Sequence, residues 1–256
     1  LFPNLFDDVV TVNAAEFYPL TVNPLIKLQS EQVLSLFGEW DETKILRIES
    51  EGDGVSELGF TEPGKELLVG METRPNLLDA FGSNHSVANI ADGFALTEAV
   101  GKLDARFADD SSLIKTFLYN SSKEPVSTYE NLLDGLRNLI LGKGQASTTF
   151  DDIETDGALG TSRQTFYLHL TELQESAQFQ ALQGKVNVVD VASLVNASNL
   201  DSQEGFAYRY ALVNLTPFAI TGNVNLYTQH NQNGELNIEN FSDQYLEDRA
   251  LMLSAI

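Results

Sequence analysis

The first 86 residues alternate short apolar runs with turn-forming segments. Val9, Val10 and Val12 make a β-branched run that is continuous rather than alternating, the pattern of a strand covered on both faces in a parallel sheet. Ile45, Leu46 and Ile48 form a second run after the helix-like stretch 30–38. Leu67, Leu68 and Val69 form a third, after the turn chemistry of Glu62-Pro63-Gly64. Strands separated by helical segments in this way predict an α/β fold.

After about residue 87 the apolar period becomes helical. Leu96, Val100, Leu103 and Phe107 follow one another on a single predicted helix face. Ser127 and Glu130 form a capping box ahead of Leu132, Leu136, Leu139 and Ile140, and Gly142 can stop that helix. Thr161 and Gln164 repeat the capping pattern before Phe166, Leu170, Leu173 and Ala177, with Gly184 at the end. The apolar stretch Phe206 to Val213 reads as a helix that stops before Pro217. Asn233-Gly234, set between Val224/Leu226 and Leu236/Ile238, predicts a β-hairpin. Ser242 then caps a last helix through Tyr245, Leu246 and Leu253. The pattern therefore predicts an α/β part over residues 1–110 and a mainly helical part with one β-hairpin over 111–256.

Composition narrows the function classes. The 256 residues include 15 Lys plus Arg, 37 Asp plus Glu and no cysteine, for a formal charge of −22. Such a chain repels phosphate backbones, which excludes nucleic acid as the expected partner. Without cysteine there is no disulfide scaffold, no thiolate-bound metal and no thiol nucleophile. No apolar run approaches the roughly 18 residues of a membrane span, so no transmembrane segment is expected. The acidity suits a secreted bacterial protein in salty or calcium-rich surroundings. With no leader at Leu1 and a helical pattern still running at Ile256, the chain reads as a piece of a longer polypeptide.

Two acidic stretches begin like calcium loops. Asp152-x-Glu154-x-Asp156-Gly157 and Glu49-x-Glu51-x-Asp53-Gly54 carry oxygen ligands at alternate positions. Their twelfth positions, Arg163 and Phe60, cannot supply the closing carboxylate, and both read as solvated acidic turns. Three histidines are present. His169 lies beside the apolar face of a predicted helix and reads as a partly buried structural residue. His230 falls in the predicted hairpin loop, where a solvated or turn-bonded imidazole is expected. His85, in the loop Gly82-Ser83-Asn84-His85-Ser86, is the candidate for chemistry. Asp53 follows the second predicted strand, and the carboxyl ends of parallel strands carry the active groups of α/β proteins. Acid then histidine matches the chain order Ser…Asp…His of an α/β-hydrolase, yet no Gly-x-Ser-x-Gly elbow occurs in the sequence.

The opening Leu1-Phe2-Pro3-Asn4-Leu5 with Asp8-Val9-Val10-Thr11-Val12-Asn13-Ala14 resembles class 3 (fungal-type) lipases just after the nucleophile elbow. Lys44-Ile45-Leu46-Arg47-Ile48 through Asp53 resembles the strand carrying the triad acid. Asn84-His85-Ser86 with Ile90-Ala91-Asp92 and Ala95-Leu96 resembles the triad histidine and its helix in lipase domains of large secreted calcium-repeat (RTX) exoproteins. The segments Gly205-Phe206-Ala207-Tyr208-Arg209-Tyr210-Ala211-Leu212 and Asn233-Gly234-Glu235-Leu236 are similar to a linking segment of those exoproteins.

The resemblance implies that 1–110 is the C-terminal half of an α/β-hydrolase domain and 111–256 an extension. His85 would be the general base and Asp53 its orienting carboxylate, with Glu49, Glu51 and Asp79 as alternative acids. The nucleophilic serine would lie about a dozen residues before Leu1. The substrate would be a lipid ester, no organic cofactor would be needed, and Ca2+ would serve folding or export. A second reading is a non-catalytic, hydrolase-derived structural or adhesive module of a large surface protein. A plain calcium-binding module is a third, opposed by Arg163 and Phe60 in the two loops.

Overall fold

The computed structural model describes residues 9–12, 45–50, 65–69, 87–109, 128–148, 163–223 and 225–255. The chain divides into two compact units, Leu1–Ala91 and Asp92–Ile256. The sequence pattern put the division at 110/111 instead. The structural one falls earlier because the apolar face Leu96, Val100 and Leu103 joins the core of the second unit.

In the first unit the three apolar runs are strands: β1 (Val9–Val12), β2 (Ile45–Ser50) and β3 (Lys65–Val69). They form a parallel sheet in the order β1-β2-β3. Val9 pairs with Ile45 and Val12 with Ile48, while Leu46 pairs with Lys65 and Ser50 with Val69. Parallel neighbours need a crossover connection of a dozen or more residues, and the intervals between these strands supply that length.

The second unit begins within α1 (Val87–Leu103) and continues through α2 (Arg106–Asp109), α3 (Thr128–Leu141), α4 (Gln164–Glu175) and α5 (Ala177–Leu182). Then come β4 (Asn187–Asp190), a 3-10 helix Val191–Ala197, α6 (Gln203–Asn214), β5 (Phe218–Thr221) and α7 (Asp243–Ala255). Leu96, Leu103, Leu133, Leu136, Phe166, Leu173 and Phe179 pack into one buried cluster. Each such side chain contributes about 1.5–3 kcal/mol by leaving water. No described helix is long and apolar enough to cross a membrane.

Local chemistry sets the helix ends. Gly142 (φ +108) and Gly184 (φ +63) follow α3 and α5 in the left-handed region, as their sequence positions suggest. Ser242 Oγ accepts the Tyr245 N–H at the start of α7. The single helix expected over Phe166 to Ala177 is instead two. Ser176 leaves the helical conformation at ψ 143, and its hydroxyl accepts the Phe179 N–H as the N-cap of α5. The helix predicted after Ser127 starts at Thr128; Ser127 lies outside the described residues, and the Glu130 carboxylate accepts from Arg163. The cap expected at Thr161 is revised: α4 starts at Gln164, with Arg163 at the cap position making no side-chain cap bond.

The β-hairpin expected around Asn233-Gly234 does not form. Residues 225–241 are turns and short 3-10 segments, Thr228–His230 and Ile238–Asn240. Asparagine side chains take the backbone groups that a strand ladder would use. Asn231 Oδ1 accepts the Leu236 N–H at 2.8 Å, and Asn240 Nδ2 donates to the Gly234 carbonyl at 2.6 Å. The antiparallel pair of this unit joins β4 to β5, from Asn187↔Thr221 to Asp190↔Phe218.

Between those strands runs α6, buried around most of its circumference, as an element enclosed on every side must be. At its first turn a glycine is obligatory. A Cβ on Gly205 would lie 2.0 Å from the Leu200 carbonyl oxygen and 2.8 Å from that of Ala197. Arg209, one turn later, reaches back to the same loop. Its Nη1 donates to the Ser198 and Leu200 carbonyls at 2.7 and 3.0 Å, and its Nε to the Leu236 carbonyl at 2.6 Å.

Candidate functional site

In the first unit the sequence expectation put the candidate acid after the second strand of the sheet. Its strands are parallel, so all three carboxyl ends lie along one edge, and Ser50 of β2 is the direct partner of Val69 of β3. Asp53 follows Ser50 by three residues, and His85 precedes Val87, the first residue of α1, by two. Asp53, His85, Glu51 and Asp79 themselves lie outside the described residues, as do both acidic loops apart from β2 and Arg163. Of the acids singled out, Glu49 sits within β2, opposite Leu68.

The second unit contains three polar centres that the sequence did not assemble. The first is an ionic cluster. The Arg163 Nε lies 2.7 Å from Asp92 Oδ2, and its Nη1 donates to Glu130 Oε1. All three side chains are buried, and the guanidinium stacks over the Phe166 ring at 4.7 Å. Burial pushes the Asp92 carboxyl above its ordinary 3.8, against the pull of Arg163 and of the Tyr167 hydroxyl. The raised value means that this group favours the folded state most in acid and loses that contribution as pH climbs from about 3.8 through the raised value. Arg163, read from the sequence only as a failed calcium ligand, is thus the hub of a buried network. Asp92 is its partner, and 71 positions separate them.

His169 is the second centre. Its Nδ1 lies 3.0 Å from Arg137 Nη1 and 2.8 Å from Thr148 Oγ1, and the Thr148 hydroxyl donates to Asp134 Oδ1 at 2.6 Å. An arginine can only donate, so Nδ1 is the acceptor and the neutral ring carries its proton on Nε2. The structural role read from the sequence accords with this burial. The arrangement of hydroxyl, imidazole and carboxylate superficially suits nucleophilic catalysis. However, Asp134 holds the hydroxyl directly, whereas a triad carboxylate orients the imidazole.

His230 is the third, and here the expected solvated or turn-bonded imidazole is corrected. The ring is buried against Tyr210, with centroids 4.6 Å apart, and Nε2 donates to the Leu139 carbonyl at 2.8 Å. Gln229 Nε2 donates to the same carbonyl at 3.0 Å. Together they satisfy the Leu139 carbonyl, one of the last four of α3, which the helix itself leaves without a partner.

Burial lowers the pKa of both histidines from 6.5, assisted at His169 by the Arg137 charge. The unfolded chain then binds protons that the folded unit refuses, so their contribution is complete above pH 6.5 and is lost as pH falls through the depressed values. We expect unfolding free energies from urea titration to be level between pH 7 and 8 and to decline below 6.5. His230→Gln, which keeps a donor for Leu139, should remove up to about 1.4 kcal/mol per pH unit from that slope. An unchanged slope in the variant would show that His230 titrates normally in the folded protein.

Among the described residues no group of three or more His, Asp and Glu side chains could hold a metal ion. No family model matches this chain, and searches of curated proteins and of solved structures likewise find no match.

Proposed function

We propose that this chain forms part of a secreted serine lipase or esterase that hydrolyses carboxylic esters of lipids. The observation that carries the reading is the register of the parallel sheet. Ser50 and Val69 are partners, so β2 and β3 end side by side. The candidate acid follows the first of these strands and the candidate base follows the second. Ligands of open parallel sheets bind beyond the carboxyl ends of the strands. In the α/β-hydrolase order, nucleophile, acid and histidine come from successive loops of that edge.

In this proposal His85 removes the proton from a serine supplied by a segment preceding Leu1 as the hydroxyl attacks the ester carbonyl. The same imidazole then returns the proton to the departing alcohol, while Asp53 holds the ring and stabilises its charged form. Water repeats the sequence on the acyl-enzyme. The oxyanion donors also belong to the preceding segment, since one of them is the amide after the nucleophile. The chemistry needs no organic cofactor, and Ca2+ would serve folding or export.

The test uses the intact native protein and a fluorophosphonate probe, with the adduct located by peptide mass spectrometry. The expected result is an adduct on a serine shortly before Leu1 that is lost in His85→Ala and strongly reduced in Asp53→Ala. The absence of a Gly-x-Ser-x-Gly elbow from the 256 residues favours a second reading, a hydrolase-derived module without catalysis. An upstream peptide that lacks a serine elbow and carries no adduct would select it.

A further inference from the structure

The chain leaves α3 through Gly142 and Gly144, both with positive φ and with open space where a Cβ would stand, and runs without helix or strand to Thr148. Lys143, Gly144, Ala146 and Ser147 are exposed, and Thr148 is buried. Apolar packing therefore does not fix 143–147. The backbone of this segment is tied to α3 at two points. Arg137 Nη1 donates to the Ala146 carbonyl at 2.6 Å, and the Thr148 N–H donates to Asp134 Oδ2 at 2.7 Å.

Both ties meet at His169. The Thr148 hydroxyl has one hydrogen and gives it to Asp134 Oδ1. Its oxygen, which then offers the ring only lone pairs, lies 2.8 Å from Nδ1. Arg137 Nη1 lies 3.0 Å from the same nitrogen. A bare Nδ1 accepts from Arg137 and gains nothing from Thr148. A protonated Nδ1 donates to Thr148, completing a chain from His169 through Thr148 to Asp134, and it repels a guanidinium at that distance. The two partners exclude each other, and one proton chooses between them.

The surrounding charges show where the displaced group goes. Among the described residues, α3 presents Asp134 and Arg137 to the ring, the 142–148 segment presents the Thr148 hydroxyl, and α4 itself presents Glu172. Arg137 Nη2 already lies 3.7 Å from Glu172 Oε2, a carboxylate half open to solvent. A guanidinium that turns towards Glu172 leaves Ala146, and because Ala146 is exposed, water replaces the lost donor. We propose that His169 is a proton-operated switch for the 143–147 segment: the neutral ring keeps Arg137 on the Ala146 carbonyl, whereas the charged ring passes Arg137 to Glu172 and frees that carbonyl, with Thr148 still anchored to Asp134. Burial, and after it the Arg137 charge, lowers the His169 pKa from 6.5, so the exchange takes place as pH falls below that value. The device lies within the second unit and does not depend on the proposed ester chemistry.

The test is an NMR titration of the full 256-residue chain, labelled with 13C and 15N, from about pH 8 down to about pH 5. The Ala146 carbonyl carbon should move upfield as it loses Arg137, with the same midpoint as the His169 ring carbons. The heteronuclear 15N NOE of 143–147 should fall in step, while the Thr148 amide stays protected from hydrogen exchange. His169→Asn places an acceptor that cannot titrate near the position of Nδ1. It should abolish these changes, and His230→Gln should leave them intact. An Ala146 carbonyl that ignores the His169 midpoint overturns the proposal in the unmodified chain, whether or not the variant folds. Changes that persist in His169→Asn overturn it too, as does a Thr148 amide that loses protection together with the release of Ala146.

Discussion

Replacing Arg209 by alanine is expected to lower the stability of the C-terminal unit by about 3–5 kcal/mol. The side chain is fully buried, and three carbonyl oxygens depend on it: those of Ser198, Leu200 and Leu236. Truncation leaves them facing a void, and each orphaned acceptor costs roughly 1–3 kcal/mol. The Phe206 ring, 4.9 Å from the guanidinium carbon, loses its cationic neighbour as well. Arg209→Lys separates geometry from charge. One ammonium cannot reach carbonyl groups arranged for two different nitrogens of a planar fork, so lysine should recover less than half of the loss. Urea unfolding followed by far-UV circular dichroism reads both values. A lysine variant as stable as the parent would show that the charge, not the fork, holds these segments together.

The second large effect is expected at Arg163. Arg163→Met keeps an apolar stem of similar length, removes the guanidinium stacked over Phe166, and leaves Asp92 and Glu130 enclosed without their counter-charge. Breaking a buried ion pair from one side costs about 3–5 kcal/mol, most of it the penalty on the abandoned carboxylates. That penalty has a pH signature. Without the guanidinium, the Asp92 carboxyl rises further above 3.8, so protonation relieves the strain. The destabilisation should therefore be smaller at pH 5 than at pH 7. Combining Arg163→Met with Asp92→Asn and Glu130→Gln should restore most of the lost stability, since no charge then remains buried there. Equal losses at both pH values, with no rescue in the triple variant, would place the role of Arg163 in packing alone.

Much of the helical architecture was legible because its signals are local. The four-three spacing of Leu96, Val100 and Leu103, the stops at Gly142 and Gly184, and the cap at Ser242 each act within one or two turns. The three β-branched or aliphatic runs likewise mark β1, β2 and β3. The failures come where a local signal has two outcomes. Asn-Gly suits a hairpin, but Asn231 and Asn240 close the loop through their side chains first. Ser176 sits in an apolar helical pattern, and its hydroxyl turns it into a cap instead. The strands Asn187–Asp190 and Phe218–Thr221 are too short to display alternation. Long-range chemistry left no local trace at all. Nothing near Asp92 announces Arg163, and nothing near Leu139 announces His230. For the candidate catalytic pair the sequence supplies the order of acid and base, and only strand register relates the ends of β2 and β3.

The enclosed arginines bear on how the molecule behaves in solution. Among the described residues the fully or nearly fully buried ions are Arg137, Arg163 and Arg209 against Asp92, Asp104 and Glu130, an even balance. Folding of these segments therefore hides none of the negative excess in a chain of net charge −22. Like charges in a chain of this composition repel across distances comparable to the Debye length, about 10 Å at 0.1 M salt. Dilute buffer is consequently the demanding medium for this protein. Added electrolyte screens that repulsion and favours the compact form, while the buried ions of the described segments balance one another.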